Sequence, residues 1–126
     1  MIFFPIRKGT YKTVDIMKDS RIRIIVLESD SSLHAVYKNH FEEIEDYKLV
    51  GNYTSAKEAL KDYRFTKPDI VLSEMTLNGV SGVEAIKLFR KKDWDIKIIM
   101  FSEINDFEVI KNPFKKGANG YLTKPL

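Results

Sequence analysis

The chain has 126 residues, 44% of them apolar and 31% charged, with a formal net charge of +3. That length supports one domain around a single core. The absence of cysteine excludes disulfides, thiolate metal sites and thiol nucleophiles, and it suits a reducing compartment. Charges of both signs are interspersed, and the longest basic run is Arg90-Lys91-Lys92. That run reads as the solvated end of a helix, so direct nucleic-acid binding by this chain is not expected.

The opening MIFFPIRKGTYK has a short apolar run, but Pro5 and Arg7 break the order of a signal peptide. No stretch approaches the ~20 apolar residues that span a bilayer, so a cytoplasmic protein without membrane attachment is expected. Residues 1–20 form an N-terminal extension, in which TVDIMKD (Thr13 to Asp19) has the composition for a helical turn or two. The main domain runs over 21–126. IRIIVL (Ile22 to Leu27) is a β-branched run suited to a strand buried on both faces. Asp30 and Ser31 are N-cap candidates for a helix to about Glu43, with Leu33, Val36, Tyr37, Phe41 and Ile44 as its apolar stripe.

YKLVGNY is the next strand, and Ser55 caps the helix AKEALKDYRF, which Lys67-Pro68 stops. DIVLSE follows as a strand, then Ser81 or Gly82 caps the helix VEAIKLFRKK. DIKIIMF is a strand. A helix between Asn105 and Lys116 follows it, closed by Gly117 as a left-handed C-cap, and GYLT is the last strand. Strands separated by helices of this length imply an α/β fold: a parallel sheet with right-handed crossovers and helices on both faces. In such a sheet, ligands bind beyond the carboxyl ends of the strands. Glu28, Ser29, Glu74, Ser102 and Lys124 all fall at such ends.

DIVLSEMTLNG, IIVLESD, MFSE and the closing GANGYLTKPL together resemble the receiver domain of bacterial response regulators, over about Arg21 to Leu126. The resemblance implies a flavodoxin-like, doubly wound five-stranded sheet of order 2-1-3-4-5. The chain stops at Leu126, just past the lysine-proline pair, so the family's last helix is expected to be lacking, the sequence being either a fragment of a longer protein or a truncated domain. It also assigns roles. Glu74 stands at the phosphoacceptor position, where the family has aspartate. Glu28 and Ser29 stand at the acidic pair that holds Mg²⁺, and the carbonyl of Thr76 completes that shell. Ser102 and Lys124 match the hydroxyl and ammonium that contact the phosphoryl group, and Tyr121 matches the aromatic that swings inward with the hydroxyl.

Three departures oppose phosphotransfer. Glutamate at 74 lengthens the acceptor, and an offset near 1 Å in an in-line reaction costs ~100-fold in rate. Ser29 removes an anionic ligand, which leaves weak Mg²⁺ binding or none, because Mg²⁺ tolerates poor geometry badly. Glu103 places a carboxylate beside Ser102 that obstructs the pocket or repels a phosphodonor. The longer Glu74 side chain has the reach to pair with Lys124, either in the manner of glutamate standing in for a phosphorylated aspartate or as an inert salt bridge left after the switch lost its input.

The resulting expectation is a degenerate receiver: a non-enzymatic regulatory domain acting on a protein partner or fused effector, most often a DNA-binding one, with homodimerisation as a family mode. The rival reading keeps phosphate transfer from a histidine kinase, with Glu74 or Ser73 as acceptor. A flavodoxin-like cofactor binder is disfavoured, because ESDSSLH has no glycine for a phosphate loop. A Ser102–Lys124 nucleophile–base dyad is disfavoured by the absence of a strained nucleophile turn. Pro113 falls inside the expected Asn105–Lys116 helix, implying either a kink or early stop on the usual partner surface or a harmless break near the helix end. Phe107, Val109, Ile110 and Phe114 are expected mostly in the core, Trp94 as a packing anchor, and His34 and His40 at the surface or boundary.

Overall fold

The computed structural model describes residues 2–14 and 19–125, with side chains from Pro5 to Tyr11 in the first stretch. β1 (Ile2–Arg7) and β2 (Thr10–Val14) pair antiparallel as a separate two-stranded sheet, turning at Gly9, which adopts a φ of 75°. Thr13 and Val14 therefore lie in a strand rather than a helix, and residues 15–18 of TVDIMKD fall outside the described residues. Antiparallel pairing satisfies their backbone groups directly, which outweighs the weak helical composition.

The rest alternates strands with helices, two short helices standing in succession at one of the crossovers. β3 (Ile22–Leu27), α1 (His34–Glu42), β4 (Tyr47–Tyr53), α2 (Ala56–Lys61), α3 (Tyr63–Thr66) and β5 (Ile70–Glu74) form the first half. α4 (Gly82–Lys92), β6 (Lys97–Ser102), α5 (Phe107–Lys115) and β7 (Gly120–Thr123) complete it. The five-stranded sheet is wholly parallel with the order β4-β3-β5-β6-β7, the flavodoxin-like 2-1-3-4-5 arrangement counted from β3.

Local chemistry sets the helix ends. The side chains of Ser55, Ser81 and Asp106 accept from the N–H groups of Glu58, Glu84 and Glu108, satisfying donors that the first helical turn leaves free. Asp30 does the same for a short 3₁₀ turn, Ser31–Leu33, that leads into α1. The helix expected over Ala56–Phe65 breaks at Asp62 into α2 and α3, and ends at Lys67 with a φ of 43°.

Strand alternation divides the core between the two faces of the sheet. Ile25, Leu27, Val71 and Met100 pack with Ala59, Ile86 and Phe89 of the helices on one side. Ile24, Val26, Leu72 and Phe101 face Tyr37 and Phe41 of α1 on the other. The α1 side keeps an apolar groove of about 370 Å³, walled by Ile24, Ile70, Leu72 and Ile99 of the sheet and by Phe41 and Ile44. Ile6 and Tyr11 of the hairpin are 56% and 67% exposed. No helix among the described residues is long and apolar enough to cross a membrane.

Several apolar side chains sit outside the core. Phe107 and Trp94 are 73% and 79% exposed, and Val36, Val109 and Phe114 are also exposed, while Ile110 is half-buried. α5 continues two residues past Pro113, which is buried; the proline is close enough to the C-terminal end that the helix does not stop early. Arg90, by contrast, is not a solvated cation. Its guanidinium donates to the carbonyls of Gly117 (2.7 and 3.0 Å), Trp94 (3.1 Å) and Ile96, and to Oδ1 of Asn119 (2.6 Å). One side chain thereby ties the end of α4 to the entries of β6 and β7, and Gly117, at a φ of 117°, admits it at close range.

Arg90→Ala is expected to destabilise the domain by about 2–3 kcal/mol, the range for charged hydrogen bonds whose acceptors lose their partner. Arg90→Lys is expected to restore less than half of that, because an ammonium cannot reproduce the planar fork. Urea denaturation of the three proteins checks both values.

Candidate functional site

The strand ends named from the sequence meet on one rim, and two sharp features place them there. Gly82 opens α4 against the end of β5, where an added Cβ would lie 2.6 Å from the Glu74 carbonyl and 2.7 Å from Met75 Cα. Its N–H donates to the Met75 carbonyl at 2.8 Å, and Thr76 bridges to Ser81 across the same turn. The turn is thus fastened directly behind Glu74. On the opposite side, the Lys124 N–H donates to the Ser102 carbonyl at 2.8 Å, extending the β6–β7 pairing so that the lysine stem passes over the rim.

Lys124 is the centre of the site. Its Nζ donates to Glu74 Oε1 at 3.0 Å and to Glu28 Oε2 at 3.2 Å, with Glu28 Oε1 at 3.5 Å. The ammonium also lies 5.1 Å from the centroid of the Phe101 ring. Glu74 Oε2 accepts from the hydroxyl of Ser29 at 3.0 Å and from its N–H at 3.3 Å. Glu28 is 1% exposed, and its Oε2 accepts from the Tyr37 hydroxyl at 3.1 Å while its Oε1 faces the Asp30 N–H at 3.4 Å.

The two carboxyls differ electrostatically although one ammonium serves both. Burial raises the Glu28 carboxyl above its ordinary value, and the neighbouring Glu74 adds to the effect, against the pull of Lys124. Burial pushes Glu74 the same way, but the donors of Lys124 and Ser29 outweigh it and hold Glu74 below its ordinary value. For Lys124, burial opposes the charge, and the pairing with Glu74 and Glu28 overcomes it and raises the ammonium. Glu74 therefore keeps its charge more firmly than Glu28. Burial, reinforced by Glu28, also lifts the Tyr37 phenol well above its usual range, so it remains a donor.

Ser102 and Tyr121 lie beside this cluster and share a different partner. Ser102 Oγ accepts from the Ile104 N–H at 3.1 Å, and the Tyr121 hydroxyl donates to the Ile104 carbonyl at 2.8 Å. The loop from β6 to α5 is thus held at one residue by both side chains. Ser73 is 1% exposed and donates its hydroxyl to the Glu74 carbonyl at 3.1 Å, which turns it away from the rim. Glu103 is exposed and borders a cleft with Tyr37, His40 and Lys124.

Two neighbours were not singled out from the sequence as site residues. Tyr37 reads as part of the apolar stripe of α1, and nothing local marks its hydroxyl as a partner of Glu28. His34 is half-buried, with Nε2 3.0 Å from the Glu28 carbonyl, and its own carbonyl accepts from Asn52 Nδ2 at 3.3 Å. Its place at the first turn of α1, six residues after Glu28, is the available clue.

Opposite pH responses follow for the two carboxyls. Glu74 contributes stability above its ordinary value of 4.5, and that contribution is lost as pH falls through the lowered native value. The Glu74→Gln deficit should therefore be largest near neutrality and shrink in acid. Glu28, raised above 4.5, favours the folded state in acid, an advantage lost as pH rises through the raised native value. Glu28→Gln should be the better tolerated variant near neutrality. Urea denaturation at about pH 7 and about pH 3.5 measures both trends.

The model of the response regulator receiver domain family matches residues 24–126. The chain is 28% identical over 109 residues to the probable C4-dicarboxylate response regulator DctR of Halalkalibacterium halodurans, covering 86% of this chain and 47% of DctR. It is 28% identical over 104 residues to the chemotaxis protein CheY of Thermotoga maritima, covering 82% and 86%. The match thus spans about half of the DctR-type relative and most of CheY. Among solved structures, a LuxR-family two-component response regulator from Aurantimonas superposes with a TM-score of 0.77 at 32% identity, covering 83% of this chain and 75% of that one. The response regulator domain of Thermotoga maritima CheB gives 0.75 at 27%, covering 83% and 79%. With the sheet order, the strand-end cluster and a family match over most of its length, the chain belongs to the response regulator receiver domains.

Proposed function

We propose that this receiver works as a regulatory module whose phosphorylation pocket is closed by an internal ion pair, with glutamate where the family has its phosphoacceptor aspartate. In this reading it controls a protein partner or a fused effector by contact, a transcriptional one in the specific form of the proposal, and performs no catalysis itself. The observation that carries the reading is the 3.0 Å bond from Lys124 Nζ to Glu74 Oε1. An acceptor carboxylate must present a free oxygen in line with phosphorus. Here Oε1 is held by Lys124 and Oε2 by two donors of Ser29, so attack requires breaking charge-assisted bonds in a partly buried site. Ser73, the other acceptor considered, is buried and turned to the Glu74 carbonyl.

Glu74 then places a negative charge permanently beside Lys124, where a phosphorylated aspartate would place one transiently. Ser102 and Tyr121 both hold Ile104, so the loop into α5 is tied to both side chains. The output surface follows that loop. Phe107, Val109, Phe114 and Leu122 are exposed on α5 and β7, an apolar composition suited to a partner or to a second copy. Transcriptional output is supported by the LuxR-family relative and by the response regulator UvrY of Escherichia coli, which is 28% identical over 103 residues.

The test is an amide-resolved NMR titration with Mg²⁺ and then beryllofluoride, on the wild type and on a Glu74→Asp, Ser29→Asp double variant. On addition of beryllofluoride, the reading predicts no saturable shifts around Glu74 in the wild type and clear shifts in the variant. Saturable wild-type shifts reaching Ser102 and Tyr121 would show a pocket that still closes around a phosphoryl mimic.

A further inference from the structure

The donors that the family's Mg²⁺ would need are engaged elsewhere. A hard dication takes about six oxygen ligands at ~2.1 Å in near-octahedral order. At this rim the Ser29 side chain is a donor, spending its hydroxyl hydrogen on Glu74. Both Glu28 oxygens are directed to Lys124, and Tyr37 fixes Oε2 from behind. The remaining anionic group, Glu74, turns Oε1 to the same ammonium. Among the described residues, no three His, Cys, Asp or Glu side chains gather as a metal cage. The residues present do not fit Mg²⁺.

Deepening the reading of a closed pocket, we infer that the Lys124 ammonium is the resident cation of this site, standing between Glu28 and Glu74 in place of a divalent metal. Three features carry this. The ammonium lies 3.0 Å from one carboxylate and 3.2 Å from the other, so it bridges the two anionic groups a metal would otherwise join. Its three N–H donors match acceptors that would repel one another if left bare. And the cluster is shielded: the side chains of Glu28, Lys124 and Glu74 are 1%, 15% and 17% exposed, so dissolved cations have poor access to compete.

Tyr37 of α1 braces the same arrangement. Its hydroxyl holds Glu28 Oε2 from the α1 side and its ring packs edge-on against Phe101 at 5.8 Å. The ammonium lies over that same Phe101 ring. The side chain of α1 that aims Glu28 and the aromatic that supports Lys124 are therefore packed as one unit. A metal can be withdrawn by a chelator or by dilution. A covalently attached ammonium cannot, so the charge balance of the rim becomes independent of the surrounding cation concentration.

A sharp consequence is that deleting the ammonium should uncover a divalent-cation site. Mn²⁺ is the probe, read by paramagnetic broadening of amide signals in the full chain. Lys124→Met keeps an apolar stem over Phe101 and removes the charge. The wild type is expected to show no saturable broadening around Glu28 and Glu74. Lys124→Met is expected to bind at least ~100-fold more tightly there, the scale on which close charges act. Adding Glu28→Gln to that variant should erase the gain. Saturable Mn²⁺ binding at the rim of the wild type would overturn the inference without any variant, even if Lys124→Met failed to fold. A folded Lys124→Met protein that binds no better than wild type would overturn it as well. Either failure is separable from the broader reading, since a pocket closed to beryllofluoride can exist without Lys124 standing in for a metal.

Discussion

The rim of this domain depends on one ammonium group. Lys124 satisfies two carboxylates that would otherwise face each other in a partly buried pocket, and each carboxylate is also held by a hydroxyl, Tyr37 at the Glu28 oxygen that Lys124 shares and Ser29 at the other oxygen of Glu74. Breaking a buried pair by removing one partner is costly, because the other charge is left without compensation. The cluster is therefore held together or lost as a unit, and its electrostatics follow: Glu74 stays charged, Glu28 gives up charge more readily, and Lys124 is held protonated.

That cluster is precise because the frame behind it is stiff. β3, β5 and β6 bury their side chains on both faces, so the carboxyl ends that carry Glu28, Glu74 and Ser102 have little freedom. The close approach at Gly82 fixes the turn after Glu74, and the Lys124 N–H is registered on β6 through the Ser102 carbonyl. At the other end of the sheet, Arg90 fastens the entries of β6 and β7 by five hydrogen bonds. Rigid strands and a bonded rim are what a binding site requires, while the loop at Ile104 connects the rim to the exposed face of α5.

Much of this was legible in the sequence because it is written locally. β-branched runs mark the buried strands, and Ser55 and Ser81 mark helix starts by a bond only three residues long. The strand-end positions converge by topology alone, so Glu28, Ser29, Glu74, Ser102 and Lys124 could be placed on one rim without coordinates. What escaped was set by tertiary packing. Tyr37 counts as apolar in a helical stripe, and only the crossing of α1 over β3 brings its hydroxyl to Glu28. Arg90 looks like part of a solvated basic run until β6 and β7 supply carbonyls around it. Phe107 and Trp94 are apolar residues that the fold leaves outside, and side-chain chemistry alone does not tell a core aromatic from an exposed one.

The most direct test of the account is NMR detection of the Lys124 side-chain ammonium. A lysine held by Glu74 and Glu28 should give a resolved Nζ signal with slowed hydrogen exchange and couplings through its hydrogen bonds to both carboxyl carbons. A Lys124 ammonium that exchanges as fast as the exposed lysines, with no coupling to either glutamate, would contradict the account at its centre.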